Sequence, residues 1–405
     1  MPLRPSTHDD GVAEVFREII NPPTLHQSIL PAAIIRASDE DFEVEEIPAY
    51  PPDGSGEHLF LWIQKRGLAA AELVSRISRT LTISAGDIGV AGQKDRHAVT
   101  RQFVSVPRKA ESRLAGLADA GIQVLTVAGH RHKLRTGHLQ GNLFRLTVRL
   151  PPPADNWTDD AVVAVSERLK MLEEQGFPSY FGPQRFGHEG STLQDGVALL
   201  QGRLSRKRWP FRQQRLMTRL VLSAVQSAVF NLVVADRVRD QTVLQPLPGD
   251  VVIRKNGSRP YLLPADDAAT SGSTQTAGGE SSDGECVERR IPAGPMFGPE
   301  MLRAGADIDA RENRALQKLG LNGSEFTRFQ KLCSGTRRAM LEFPSAVSAQ
   351  RTAKQQLQLN FTLRSGTYAT VLLREMFANV IDAAAMGQNR ECDQEADEEF
   401  TEGPE

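Results

Sequence analysis

Residues 142–150 read Asn-Leu-Phe-Arg-Leu-Thr-Val-Arg-Leu, an alternation that puts Phe144, Leu146, Val148 and Leu150 on one side of an extended chain. A period of two is the signature of a strand with one buried face, so this stretch commits the chain to a sheet. Shorter extended runs precede it at Phe42–Ile47, where Phe42, Val44 and Glu46 share a face, and at His58–Ile63, Gln102–Val106 and Gln123–Val127. A further run, Leu357–Leu363, lies far downstream. Between them the period changes. Thr158–Gln175 and Val221–Val238 are helical in pattern, the second with Val225, Val229 and Leu232 as a core face. Ala70, Leu73, Val74, Ile77 and Leu81 also fall at helical spacing, and Tyr368–Ala385 reads as a closing helix entered through Ser365-Gly366-Thr367. The pattern predicts an α+β chain: a sheet-rich N-terminal part, a mostly helical middle, then a strand and a helix. With 405 residues, at least two domains are expected.

Cys286, Cys333 and Cys392 are odd in number and far apart, which excludes a disulfide framework and a CxxC metal site and fits a reducing compartment. The first residues hold no apolar run of signal-peptide length, and nowhere are ~18 consecutive residues apolar. A cytoplasmic protein without a membrane span is the expectation. The net charge of −2 conceals segregation: residues 391–405 carry eight acids and no Lys or Arg, so residues 1–390 sum to +6. That stretch reads as a disordered acidic tail, and 265–285, with five acids and no large apolar residue, as a flexible insertion loop. Cations concentrate at His130–His138 and at Arg203–Arg219, where Trp209 and Phe211 interrupt seven basic side chains. Such a segment is either a solvated face or an RNA contact, in which cations meet phosphates and rings stack on unpaired bases.

The stretch Ala91–Gln102 reads Ala-Gly-Gln-Lys-Asp-Arg-His-Ala-Val-Thr-Arg-Gln and places Asp95 in a loop after a glycine turn, among Lys94, Arg96 and Arg101. Opposite charge favours the ionised carboxylate, the form that acts as nucleophile or base. The same pattern also serves as a structural ion-pair loop. Asp39, Glu40, Asp41, Glu43, Glu45 and Glu46 form a second acidic group, readable as a solvated edge-strand face or as the paired acids of a glycoside or nucleoside hydrolase. His130 and His132 share a strand face, but no neighbouring carboxylate or cysteine completes a ligand set, so no metal is expected.

In six blocks the chain resembles the tRNA pseudouridine synthase D family: Asp41–Glu46, Ala91–Gln102, Gly141–Leu146, Ser179–Gly187, Leu222–Asn231 and Leu363–Thr370, in the family's order. The resemblance implies isomerisation of a uridine already in RNA, without cofactor or metal, and Asp95 as the catalytic carboxylate. It further implies tRNA as the partner, with uridine 13 of the D-arm as target. Phe42 corresponds to an aromatic packing on the target base, Asn142 to a substrate-binding amide, and Tyr368 to a substrate-packing aromatic that is Phe in the family. Phe144 is a candidate wedge or a core ring. Arg36 stands where the family has a lysine paired with the aspartate, and Lys94 adjoins Asp95. Arg185, Arg206, Lys207, Arg208 and Arg212 are candidate RNA contacts, Arg185 equally a hinge residue.

The fold implied is a mixed antiparallel-sheet catalytic domain interrupted by a mainly helical insertion: residues 1–182, an insertion at 183–340, a second catalytic segment at 341–390, and the tail. A monomer is expected. The rival reading is a tRNA-binding or folding protein without catalysis, in which Asp95 would be dispensable.

Overall fold

The computed structural model describes residues 7–154, 156–255, 257, 259–264 and 289–386; the acidic loop and tail lie outside the described residues. In chain order the elements are α1 (Thr7–Ile20), β1 (Ala33–Ile35), β2 (Phe42–Pro48), β3 (His58–Arg66), α2 (Ala70–Leu81), β4 (Gly89–Val90), β5 (Val99–Pro107), β6 (Ile122–His130), β7 (Leu139–Arg149), α3 (Asp159–Gln175), β8 (Phe177–Pro178), α4 (Ser191–Leu200), α5 (Gln214–Arg239), β9 (Val251–Arg254), β10 (Tyr261–Leu262), β11 (Arg290–Met296), α6 (Ala306–Lys318), β12 (Thr336–Ala339), β13 (Leu341–Glu342), β14 (Ser345–Ala353), β15 (Gln356–Arg364), α7 (Ala369–Met376) and β16 (Val380–Asp382).

The chain forms two compact units. One contains Ser28–Glu173, Pro344–Ala369 and the described residues from Met376 onward, and is built on a ten-stranded mixed sheet with the path β14-β15-β7-β2-β5-β3-β6. The strongly alternating strand β7 lies inside this sheet, antiparallel to both β2 and β15. Its Phe144, Leu146 and Val148 are buried. Strands β2 and β5 pair in parallel. The helix α2 lays Leu73, Ile77 and Leu81 on Leu59, Leu61, Ile63, Val104 and Val106. Each such side chain, once buried, contributes about 1.5–3 kcal/mol. The exposed cross-strand ion pairs, Glu43 with Arg145 and Glu45 with Arg101, contribute at most about 1 kcal/mol each, so the apolar face decides the packing.

The other unit comprises the described residues up to Gln27, Glu174–Phe343 and Thr370–Glu375. It is organised around α5, buried almost all round from Val221 to Ala235. Helix α4 packs so closely on it that a Cβ on Gly196 would stand 2.3 Å from the Val221 carbonyl oxygen. A four-stranded sheet, β10-β9-β11-β12, completes this unit, so it is less purely helical than the sequence implies. Besides Glu174–Phe343, this unit takes in α1 and Thr370–Glu375.

The expected helix Tyr368–Ala385 is corrected. It ends at Met376, and the chain re-extends as β16, parallel to β1, with the Ala33 amide donating to the Asn379 carbonyl. The open edge of β1 supplies hydrogen-bond partners that a local helical pattern does not reveal. By length and composition one helix among the described residues, Phe211–Arg239, could cross a membrane, but 78% of its apolar window is buried, as in a core helix.

Candidate active site

Asp95 sits in the loop joining β4 to β5, and three contacts fix that loop from beneath. Lys94 Nζ lies 2.7 Å from Glu46 Oε2 in a pair with both side chains buried. Glu46 Oε1 also accepts a bond from the Phe103 amide, 3.3 Å. Lys65 Nζ donates to the backbone carbonyl of Asp95 itself, 2.9 Å, and to that of Leu68, 2.6 Å. Removing one partner of a buried pair such as Lys94–Glu46 costs about 3–5 kcal/mol, because an uncompensated charge remains. These groups therefore act on the shape of the loop, and the Asp95 side chain, 47% exposed, points outward.

None of the cations adjacent in sequence pairs with Asp95. Arg101 serves Glu43, Glu45 and Gln64, and Lys94 serves Glu46. Among the described residues the ion-pair partner of Asp95 is Arg36, whose Nη2 is 3.3 Å from Oδ2. The other arm of the guanidinium binds Asp382 Oδ2 at 2.5 Å. Arg36 adopts a left-handed backbone at φ +53°, a strained setting for a non-glycine residue, just after β1. Its guanidinium carbon lies 3.9 Å over the Phe42 ring centroid. Carboxylate, planar cation and aromatic ring thus meet in one place.

Phe42 is almost fully buried, edge-on to Phe144, whose ring stacks on Phe361 at 5.4 Å. Phe144 therefore lies within the aromatic layer of the sheet. Asn142 stands on β7 opposite Glu46 on one side and Leu363 on the other, and its Oδ1 is buried without a hydrogen-bond partner. Tyr368, half-buried, follows the Arg364–Thr367 turn, closed by a 3.2 Å bond and Gly366 at φ +84°.

The acidic group is only partly solvated: Asp41 and Glu46 are buried, Glu40 is exposed, and all six acids face cations, Asp41 gripping Arg149 at 2.7 Å. His130 does have a carboxylate neighbour, Asp53, 3.2 Å from Nδ1, and burial pushes the imidazole below its usual value.

The sequence profile of tRNA pseudouridine synthase D (TruD) matches residues 32–208 and 212–376. The chain is 37% identical to the tRNA pseudouridine synthase D of Anaeromyxobacter dehalogenans over 345 residues, covering 84% of this chain and 92% of that one. A Thermus thermophilus counterpart is 35% identical over 345 residues, covering 84% of this chain and 88% of that one. This chain belongs to the tRNA pseudouridine synthase D family. A crystal structure of a candidate family member from Methanosarcina mazei shares the fold, with TM-score 0.63 and 23% identity over 90% of this chain and 98% of that one.

Two of the blocks shared with the TruD family lock together in the second unit. Asn231 of α5 accepts from the Phe181 amide and donates to the Phe181 and Ile19 carbonyls. Arg185 donates to Ser227 Oγ at 3.3 Å and to Ser223 Oγ, so its guanidinium is held within the protein. Arg206 donates to Thr218 Oγ1, and Arg208 lies 3.7 Å from Asp195, while Lys207 and Arg212 are exposed. Trp209 is buried, contrary to a paired ring platform; Phe211 is 88% exposed.

Sequence reading missed Lys65 and Asp382. Lys65 falls in phase with Leu59, Leu61 and Ile63 on β3, an inward lysine that period-two alternation flags. Asp382 has no local signal; only the β1–β16 pairing brings it to Arg36.

Proposed function

We propose that the protein is a tRNA pseudouridine synthase acting at uridine 13 of the D-arm, with Asp95 as its catalytic carboxylate. The observation that carries this is the half-exposed Asp95 side chain held by a guanidinium whose central carbon lies 3.9 Å over the Phe42 ring. The reaction is redox-neutral. The bond from N1 to the sugar C1′ breaks, the uracil turns, C5 bonds to C1′, and the proton on C5 leaves while N1 gains one. No cofactor is required by that balance. The catalytic carboxylate acts in its ionised form, attacking the sugar or the base or removing a sugar proton.

A uracil packing on Phe42 takes the face that Arg36 occupies, exchanging one planar group for another. Asn142 Oδ1, an acceptor lacking a donor, takes a base N–H, and Tyr368 packs on the substrate with its ring. The buried Phe144 supports Phe42 from the side. Lys94 acts through the loop rather than on the substrate. Extrusion costs a few kcal/mol of stacking, which such contacts offset. Arg206, Lys207, Arg208 and Arg212 meet backbone phosphates through counterion release; Arg185 orders the turn that carries it.

The test is tritium release from tRNA labelled at uracil C5, with mapping of the modified position. Wild type releases tritium at uridine 13, and Asp95→Asn binds tRNA but releases none. Release by Asp95→Asn at the wild-type rate would remove Asp95 from the chemistry.

A further inference from the structure

We propose that Phe211 is a stacking platform for an unpaired base of the tRNA substrate, an inference that rests on the tRNA-modifying reading. Three large apolar side chains are exposed along residues 211–220, where α5 begins: Phe211 at 88%, Leu216 at 68% and Leu220 at 40%. A single exposed apolar residue is ordinary, but several in one short segment, interspersed with cations, mark a binding surface. The cations here are Lys207, Arg212, Arg215 and Arg219, all exposed and, among the described residues, without a carboxylate partner. Among the described residues the one ion pair in the segment joins Arg208 to Asp195.

The turn bearing the ring is fixed in advance. Trp209 is buried as its anchor, and Gln214 Nε2 donates to the Trp209 carbonyl at 3.2 Å. The Gln213 amide closes on the Pro210 carbonyl at 2.8 Å, Ser205 Oγ accepts from the Lys207 amide, and Arg206 ties back to Thr218. A turn already ordered adds little backbone-ordering cost on binding, which favours stacking. An exposed ring set among unpaired cations is the chemistry that tracks unpaired nucleic acid, the ring taking the base and the cations its phosphates.

An anionic membrane offers similar charge. It would require an apolar face running several turns along the helix, and here the open apolar surface stops at Leu220, since α5 is buried from Val221 onward. Residues 209–211 also fall between the two segments matched by the family profile, so that match assigns Phe211 no role.

The experiment measures tRNA affinity across a salt series for wild type, Phe211→Ala, Phe211→Trp and Arg212→Ala, alongside tritium release and flotation with phosphatidylserine vesicles. Phe211→Ala is expected to weaken binding roughly 5- to 150-fold with an unchanged salt slope. Phe211→Trp restores affinity, and Arg212→Ala lowers the slope by about one. Affinity of Phe211→Ala equal to wild type, or a loss that Phe211→Trp does not rescue, overturns the proposal. So does loss of vesicle flotation in Phe211→Ala with tRNA affinity intact, which would assign the surface to lipid. Absence of tritium release by wild type counts against the synthase reading alone, because the affinity series reads the surface directly.

Discussion

Lys65 is 1% exposed, and among the described residues no carboxylate pairs with its ammonium. Its partners are two backbone carbonyls, one belonging to Asp95. Burial lowers its pKa to about 8, with the charge of Asp95 opposing part of that fall. The consequence for stability has a definite sign. Below pH 8 folded and unfolded chains both carry the proton, and the folded state bears the full cost of a buried charge. Between about pH 8 and the unfolded value near 10.5, the unfolded chain holds a proton that the folded one has released, so this group's contribution rises with pH. Wild type should therefore gain about 2 kcal/mol relative to Lys65→Met between pH ~7.5 and ~9.5, measured by urea unfolding of both. A parallel pH response of the two proteins would show that Lys65 keeps its proton throughout.

At the level of elements, the position of Asn142 depends on how closely β7 approaches β15. A Cβ on Gly141 would stand 2.3 Å from the Leu363 carbonyl oxygen, a contact that flexible side chains cannot relieve because the obstacle is backbone. Gly141→Ala is expected to push the strands apart, cost about 1–3 kcal/mol in unfolding free energy, and weaken tRNA-dependent tritium release more than Gly86→Ala, whose added Cβ meets only the Ser84 hydroxyl at 3.4 Å. Equal behaviour of the two variants would separate strand spacing from function.

The strands were legible because period-two burial is a local property: Phe42, Val44 and Glu46 face inward on β2 as their alternation requires. The end of α7 was not, because β16 forms against a strand hundreds of positions earlier. Nor could sequence say which ring of Trp209 and Phe211 is buried, or that Asp95 pairs with Arg36 rather than with its own neighbours. Those outcomes depend on which elements meet, and composition within a segment does not encode that.

Across the whole molecule, charge is divided along the chain. Removing residues 391–405 changes the net charge from −2 to +6. A protein lacking those residues should associate with tRNA faster at low salt, in stopped-flow measurements, with the advantage fading as the Debye length falls below about 10 Å. An association rate indifferent to the truncation at every salt concentration would mean that the acids do not contribute to the field met by tRNA.

The sheet carrying Asp95 is assembled from segments on either side of the long interruption at Glu174–Phe343. During synthesis Asp95, Arg36 and Phe42 all emerge early, yet Leu363, which pairs with Asn142, and Asp382, which holds the second arm of Arg36, are among the last described residues made. Contacts of such sequence separation form late and slowly. A ribosome therefore carries the complete set of early site residues through most of translation without the strands that order them. A product truncated before β15 would retain Asp95, Arg36 and Phe42 but lack the strand that pairs with Asn142 and the carboxylate that holds the second arm of Arg36.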